Sequence, residues 1–218
     1  MLPKLLLIED NPSISKIQRH VALRIGYQVD IADSLASAID LIEVNDYFCA
    51  VVDYVLPDAS NGEAIPLTIG ASIPTIVMTG KLDDKTRDTV MQYPVVDYIT
   101  KESRQAYTYL ETQLKRLPRN ENVRVLIVDD SRNTRKLIKS YLLRHKYLIA
   151  EAVDGVSALE QLEQFDDIKV IITDNEMPNM NGVTLTSKIR ETFNSEDKVI
   201  IGISGTDDNR VSANFLKN

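Results

Sequence analysis

Two adjacent carboxylates, Glu9 and Asp10, close a short apolar run, and a third, Asp53, closes another. In open α/β sheets, ligands bind at the carboxyl ends of the strands, where the strand order reverses. If these two runs are neighbouring strands, three carboxylates meet at one edge, and their repulsion is costly without a cation. Oxygen donors without His or Cys favour a hard ion, Mg2+ over Zn2+. Thr79 and Lys101 close two further runs and would bring a hydroxyl and an ammonium to the same crevice. A carboxylate beside Mg2+, lysine and threonine is suited to attack phosphorus. The metal, ammonium and hydroxyl would neutralise the phosphoryl oxygens during transfer.

The same constellation, minus the lysine, occurs a second time. Leu5-Leu6-Leu7-Ile8-Glu9-Asp10 is matched by Val125-Leu126-Ile127-Val128-Asp129-Asp130, so Asp10 and Asp130 are offset by 120 residues. Tyr27 and Tyr147 keep that offset, as do Ser37-Ala38-Ile39 and Ser157-Ala158-Leu159. Asp53 with Leu56-Pro57 is matched at an offset of 121 by Asp174 with Met177-Pro178. Gly62 and Gly182 return to 120, which leaves one extra loop residue in the first copy. Thr79-Gly80 corresponds to Ser204-Gly205 at 125, so the first copy is five residues shorter between Gly62 and Thr79. That is roughly a turn and a half of helix. A repeat at this spacing predicts two related domains.

These residues need a scaffold of strands and covering helices. Apolar runs predict strands at Lys4–Ile8, Cys49–Val52, Thr75–Met78 and Val95–Ile99, then at Arg124–Val128, Val170–Thr173 and Val199–Ile203. Continuous apolar strands suit a parallel sheet covered on both faces. Helical stripes fall at Ile14, Ile17 and Val21, at Leu35, Ile39 and Ile42, and at Leu137, Ile138, Tyr141 and Leu142. The alternation predicts an open, doubly wound α/β fold. Pro118 is expected to end the helix before the link between the copies. The domains are then 1–118 and 123–218, joined by 119–122. A counterpart to Lys101 in the second copy falls at about position 226, beyond Asn218, so this copy is expected to lack its fifth strand and helix.

Composition narrows the function classes. The chain has 218 residues, of which 44% are hydrophobic and 26% charged, ample for an ordinary core rather than a disordered chain. No apolar run approaches the ~20 residues that span a bilayer. The apolar start up to Ile8 is cut off by Glu9 and Asp10 too early for a signal peptide. Cys49 is the single cysteine, which excludes an intrachain disulfide and a cysteine-based zinc cluster. A cytoplasmic protein is expected. The net charge of −7 disfavours nonspecific nucleic-acid binding, which needs cations against phosphates.

With these motifs in place, the sequence resembles the receiver domains of two-component response regulators, twice over. The resemblance rests on Ile8-Glu9-Asp10, Asp53 with Leu56-Pro57 and Gly62, Thr79-Gly80 and Lys101. In the second copy it rests on Val128-Asp129-Asp130, Asp174 with Met177-Pro178 and Gly182, and Ser204-Gly205. It implies two flavodoxin-like (βα)5 domains with parallel sheets of strand order 2-1-3-4-5, the second truncated before its fifth strand. It implies Asp53 and Asp174 as phosphoacceptors, with Glu9, Asp10, Asp129 and Asp130 holding Mg2+. The backbone carbonyls of Val55 and Glu176 would join them as metal ligands. Thr79, Ser204 and Lys101 would sense the phosphoryl group, and Tyr98 resembles the family's aromatic switch. The sequence departs from the family where Lys101 is followed by Glu102 rather than proline.

Three function classes follow. In the leading one the protein is a non-enzymatic switch that takes phosphoryl from a histidine kinase or phosphotransfer protein and dimerises on activation. In the second, the first receiver is an unphosphorylated adaptor within a larger regulator. Tandem receivers of this kind resemble the front of regulators ending in a GGDEF-type diguanylate cyclase. The third is a haloacid-dehalogenase type of phosphatase, which resembles Asp-x-Asp after a first strand. Here Val55 and Glu176 stand at the third position, after third strands.

Overall fold

The computed structural model describes residues 2–80 and 84–203. It divides between Pro118 and Arg119 into two compact units. In chain order the first contains β1 (Lys4–Ile8), α1 (Pro12–Arg24), β2 (Gln28–Ala32), α2 (Leu35–Val44), β3 (Cys49–Asp53), α3 (Ala64–Gly70), β4 (Thr75–Thr79), α4 (Asp84–Met91), β5 (Asp97–Thr100) and α5 (Arg104–Asn120). The second contains β6 (Arg124–Val128), α6 (Arg132–Arg144), β7 (Leu148–Ala152), α7 (Gly155–Gln164), β8 (Ile168–Asp174), α8 (Gly182–Arg190) and β9 (Val199–Ile203). All ladders are parallel, with orders β2-β1-β3-β4-β5 and, among the described residues, β7-β6-β8-β9.

Strand alternation builds the core of the first unit. Leu6 and Ile8 face one side, with Ala50, Val52, Ile65 and Val77. Leu5 and Leu7 face the other, with Val51, Ile76, Met78 and the α5 residues Leu110, Leu114 and Leu117. Leu110, Leu114 and Leu117 are at most 1% exposed; burying each contributes about 2 kcal/mol. In the second unit Leu126 and Val128 pack with α7 and α8 residues such as Leu162, Leu185 and Ile189. On the opposite sheet face Val125 and Ile127 of β6 are buried, while among the described residues Val199 and Ile201 of β9 stay about half exposed.

The helices start where their caps demand. Asn11 accepts from the amides of Ser13 and Ile14 at 2.9 and 3.2 Å, and Pro12 follows it at the first helical position. Ser34 and Asp154 each form a capping box, with Ser37 and Ser157 respectively.

The structure corrects the sequence-based expectations in three places. β2 and β7 are strands that apolar runs did not reveal, because they are edges carrying Gln28, Asp30 and Glu151. Pro118 does not end α5, which continues to Asn120. A proline there deprives the Leu114 carbonyl of its helical donor, and the buried Tyr27 hydroxyl donates to that oxygen instead, at 2.8 Å. The shortening in the first copy is shared: α3 has 7 residues against 9 in α8, and the following loop spans 71–74 against 191–198.

Candidate functional site

At the carboxyl edge of the first sheet, β1 delivers Glu9 and Asp10 and the adjacent β3 delivers Asp53. One carboxylate oxygen from each lies within 4.8 Å of the others, and among the described residues this is the one such trio. Thr79 ends β4 beside β3, fully buried. Lys101 follows β5; its backbone amide donates to the Thr79 carbonyl at 2.8 Å, which carries its side chain back over the edge. Its Nζ then reaches Glu9 Oε2 and Asp53 Oδ2, both at 2.6 Å. These groups and Val55 line one cleft of about 300 Å³.

Electrostatics explains the lysine. Glu9 is 1% exposed, and burial pushes its carboxyl above the ordinary carboxylate range while Lys101 pulls it back. Among the described residues Glu9 and Asp53 share one cation, which leaves them short of positive charge, and three convergent oxygens suit a hard divalent ion. Glu9, Asp10 and Asp53 thus fit Mg2+. The Val55 amide donates to Asp53 Oδ1 at 3.3 Å, which turns the loop after β3 toward the cleft.

That loop needs Gly62. Its φ is +80°, and an added Cβ would stand 2.7 Å from the Tyr54 ring. The extra residue before it is taken up in a tight turn, where Leu56 and Ala59 exchange backbone hydrogen bonds of 2.8 and 3.2 Å. Asp58 then accepts from the α2 amides of Leu35 and Ala36 at 2.8 and 3.0 Å, fastening the loop to that helix.

In the second unit Asp129 and Asp130 follow β6, and Asp174 ends the adjacent β8, but their carboxylate oxygens do not all come within 4.8 Å of one another as those of the first trio do. Asp129 is 4% exposed. Burial raises its carboxyl above the ordinary range, the Ser131 amide opposes this, and the charge of Asp174 adds to the rise. Asp130 and Glu176 are exposed. Gly182 is required here by close approach: a Cβ on it would lie 2.2 Å from the Asp174 carbonyl oxygen. Ser204 falls outside the described residues. Tyr98 lies on β5, half-buried against the core and lining a separate groove of about 600 Å³ with α5.

Some residues that organise the sites carry no signal in the motifs. Asp58 and its counterpart Asn179 each reach the start of the second helix of their own unit, Asn179 through a bond to the Asp154 carboxylate at 2.5 Å. The carboxylate is on the loop in one copy and on the cap in the other, a reciprocal exchange visible only once the contact is known. Arg135 donates to the carbonyls of Asp129 and Asp130 at 2.7 and 3.2 Å. Its signal was a break in the repeat, since Ser15 stands at the matching position.

An α/β sheet with an acidic trio, a buried hydroxyl and a lysine at its carboxyl edge defines a receiver-type fold. Comparison with known proteins agrees. The response regulator receiver domain family matches residues 5–109 and 125–218, so the chain belongs to that family in two segments. A chemotaxis protein CheY homologue of Campylobacter jejuni is 41% identical over 83 residues, covering 38% of this chain and 64% of its own length. CheY1 of Helicobacter pylori is 42% identical over 83 residues, 38% of this chain and 67% of that protein. The match thus spans just under two thirds of the Campylobacter relative. A solved two-component system response regulator/GGDEF domain protein superposes with a TM-score of 0.88 at 32% identity, over 99% of this chain and 88% of that one. Among the described residues, no helix is long and apolar enough to cross a membrane.

Proposed function

We propose that this protein is a phosphorylation-driven switch whose acceptors are Asp53 and Asp174. The donor is a phosphohistidine of a histidine kinase or phosphotransfer protein in the cytoplasm. A carboxylate oxygen of the aspartate attacks phosphorus as the P–N bond to the imidazole breaks, and the ring nitrogen keeps the electron pair. Glu9, Asp10, Asp53 and the Val55 carbonyl would hold Mg2+ in the first receiver. Asp129, Asp130, Asp174 and the Glu176 carbonyl would do so in the second. The ion supplies positive charge against the phosphoryl oxygens. Lys101 neutralises a further oxygen in the first receiver, and the hydroxyls of Thr79 and Ser204 engage the transferred group. Tyr98 follows Thr79 inward, and the altered surface favours a dimer.

The observation that carries this reading is Lys101 held 2.6 Å from both Glu9 and Asp53, a cation poised where a third negative group would arrive. The similarity to a response regulator/GGDEF protein supports a further step, in which the receivers govern a diguanylate cyclase. Intact-mass measurement after treatment with acetyl phosphate and Mg2+ tests the acceptors. Asp53→Asn and Asp174→Asn are each expected to retain one phosphoryl group. If Asp174→Asn takes up none, the first receiver is an adaptor.

A further inference from the structure

Among the described residues, the cation set against the acidic pair comes from a different element in each unit. In the first, Lys101 reaches over the edge from the end of β5. In the second, Arg135 comes from the first turns of α6. Its Nη1 donates to the Asp129 carbonyl at 2.7 Å and to the Asp130 carbonyl at 3.2 Å. Its Nε is buried and makes no hydrogen bond, but lies 3.6 Å from Glu151 Oε2 on β7. Glu151 is itself held by Lys139 at 2.5 Å. The guanidinium is thus fixed between the backbone of the acidic pair and a carboxylate of the neighbouring strand.

The repeat supplies an internal comparison. At the matching position of the first copy, Ser15 is too short to reach the acidic pair and turns its hydroxyl to the Pro12 carbonyl at 3.3 Å. One local feature is common to both copies. The amide two residues after the first acid donates back to its carboxylate, at 3.3 Å for Asn11 and Glu9 and at 2.8 Å for Ser131 and Asp129. The clamp on the two carbonyls of the acidic pair is present in the second copy and not in the first.

We propose that Arg135 is a positioning residue for a divalent-cation site formed by Asp129, Asp130 and Asp174. By gripping two successive carbonyls it fixes the backbone torsions at Asp129 and Asp130, and these set where the two carboxylates leave the chain. The same cationic group offsets part of the repulsion that concentrates there. The inference rests on reading this trio as a metal site. Groups behind the ligands that hold them in place typically change metal affinity by about 10- to 100-fold when removed. Arginine suits the role because its fork can serve the carbonyls and face Glu151 at once, which lysine does only in part.

The test is a titration of the full 218-residue chain with MgCl2 alone, followed by amide NMR. The Asn11 amide reports the first site and the Ser131 amide the second. Arg135→Ser is expected to weaken Mg2+ binding read at Ser131 by about tenfold, with Asn11 unchanged. Arg135→Lys should recover part of that loss. Should Arg135→Ser unfold the unit, Glu151→Gln releases the rear of the clamp and is expected to weaken binding at Ser131 by about threefold, a part of the effect of losing the guanidinium. Unchanged affinity at Ser131 in the folded variant, or an equal loss at both amides, overturns the proposal. No Mg2+ response at either amide in the parent protein overturns the metal reading itself.

Discussion

Lys101 stands between two carboxylates that would otherwise repel across the edge of the sheet, and its side chain is only 7% exposed. Removing one member of a buried ion pair leaves an uncompensated charge, which typically costs several kcal/mol. Lys101→Met is expected to destabilise the first unit by roughly 2–3 kcal/mol in chelator, below the full cost because Glu9 takes up a proton. Urea unfolding should show Mg2+ recovering part of that loss. Gly182 makes a different kind of prediction. A methyl group there would collide with the carbonyl of Asp174 at 2.2 Å, so Gly182→Ala must displace the loop after β8. Phosphoryl uptake in the second unit is expected to fall at least tenfold on the scale of misplaced catalytic groups, while uptake at Asp53 stays as it was. Equal uptake by parent and variant would show that the loop tolerates the shift.

At the level of elements, two interactions settle how the framework holds. Tyr27 replaces the donor that Pro118 withholds from α5. Tyr27→Phe leaves that buried carbonyl without it and should cost about 1–2 kcal/mol, with amide exchange faster in the last turns of α5 than in α1. Asp58 fastens the loop after β3 to α2, and the Leu35 and Ala36 amides hold its carboxyl below the ordinary value of 3.8. Because the folded value is the lower one, this contact stabilises the fold above about pH 3.8 and is lost as pH falls through the folded value. Asp58→Asn should therefore flatten the loss of stability of the first unit below that pH, as followed by circular dichroism. An identical acid limb in the variant would count against the latch. The elements also show where the sequence stops being legible. β1, β3 and β4 could be read because they are buried on both faces. β2 and β7 could not, because edge strands such as Gln28–Ala32 mix polar and apolar residues. Pro118 misled for a related reason: its effect was cancelled by a tyrosine 91 positions away in sequence.

Across the whole chain, the internal repeat makes the acidic pairs, both acceptor candidates and the hydroxyl positions readable from residue type and spacing alone. Asp58 and Asn179 stay hidden in the sequence because each acts through a capping contact that leaves no periodic trace, whereas Arg135 shows only as a break in the repeat. A switch of this kind should also change its state of association. Beryllofluoride with Mg2+ is expected to shift the sedimentation of the chain toward a dimer, and Asp53→Asn to abolish the shift; unchanged sedimentation of the parent would argue for an output that does not depend on dimerisation. The central claim, that Asp53 and Asp174 carry the phosphoryl group, is tested most directly by trapping it. Borohydride reduction after reaction with a phosphodonor and Mg2+ converts an acyl phosphate of aspartate to homoserine, which peptide mass mapping locates. Homoserine at positions 53 and 174 is the predicted result; its absence from both, with parent aspartate intact, would contradict the account.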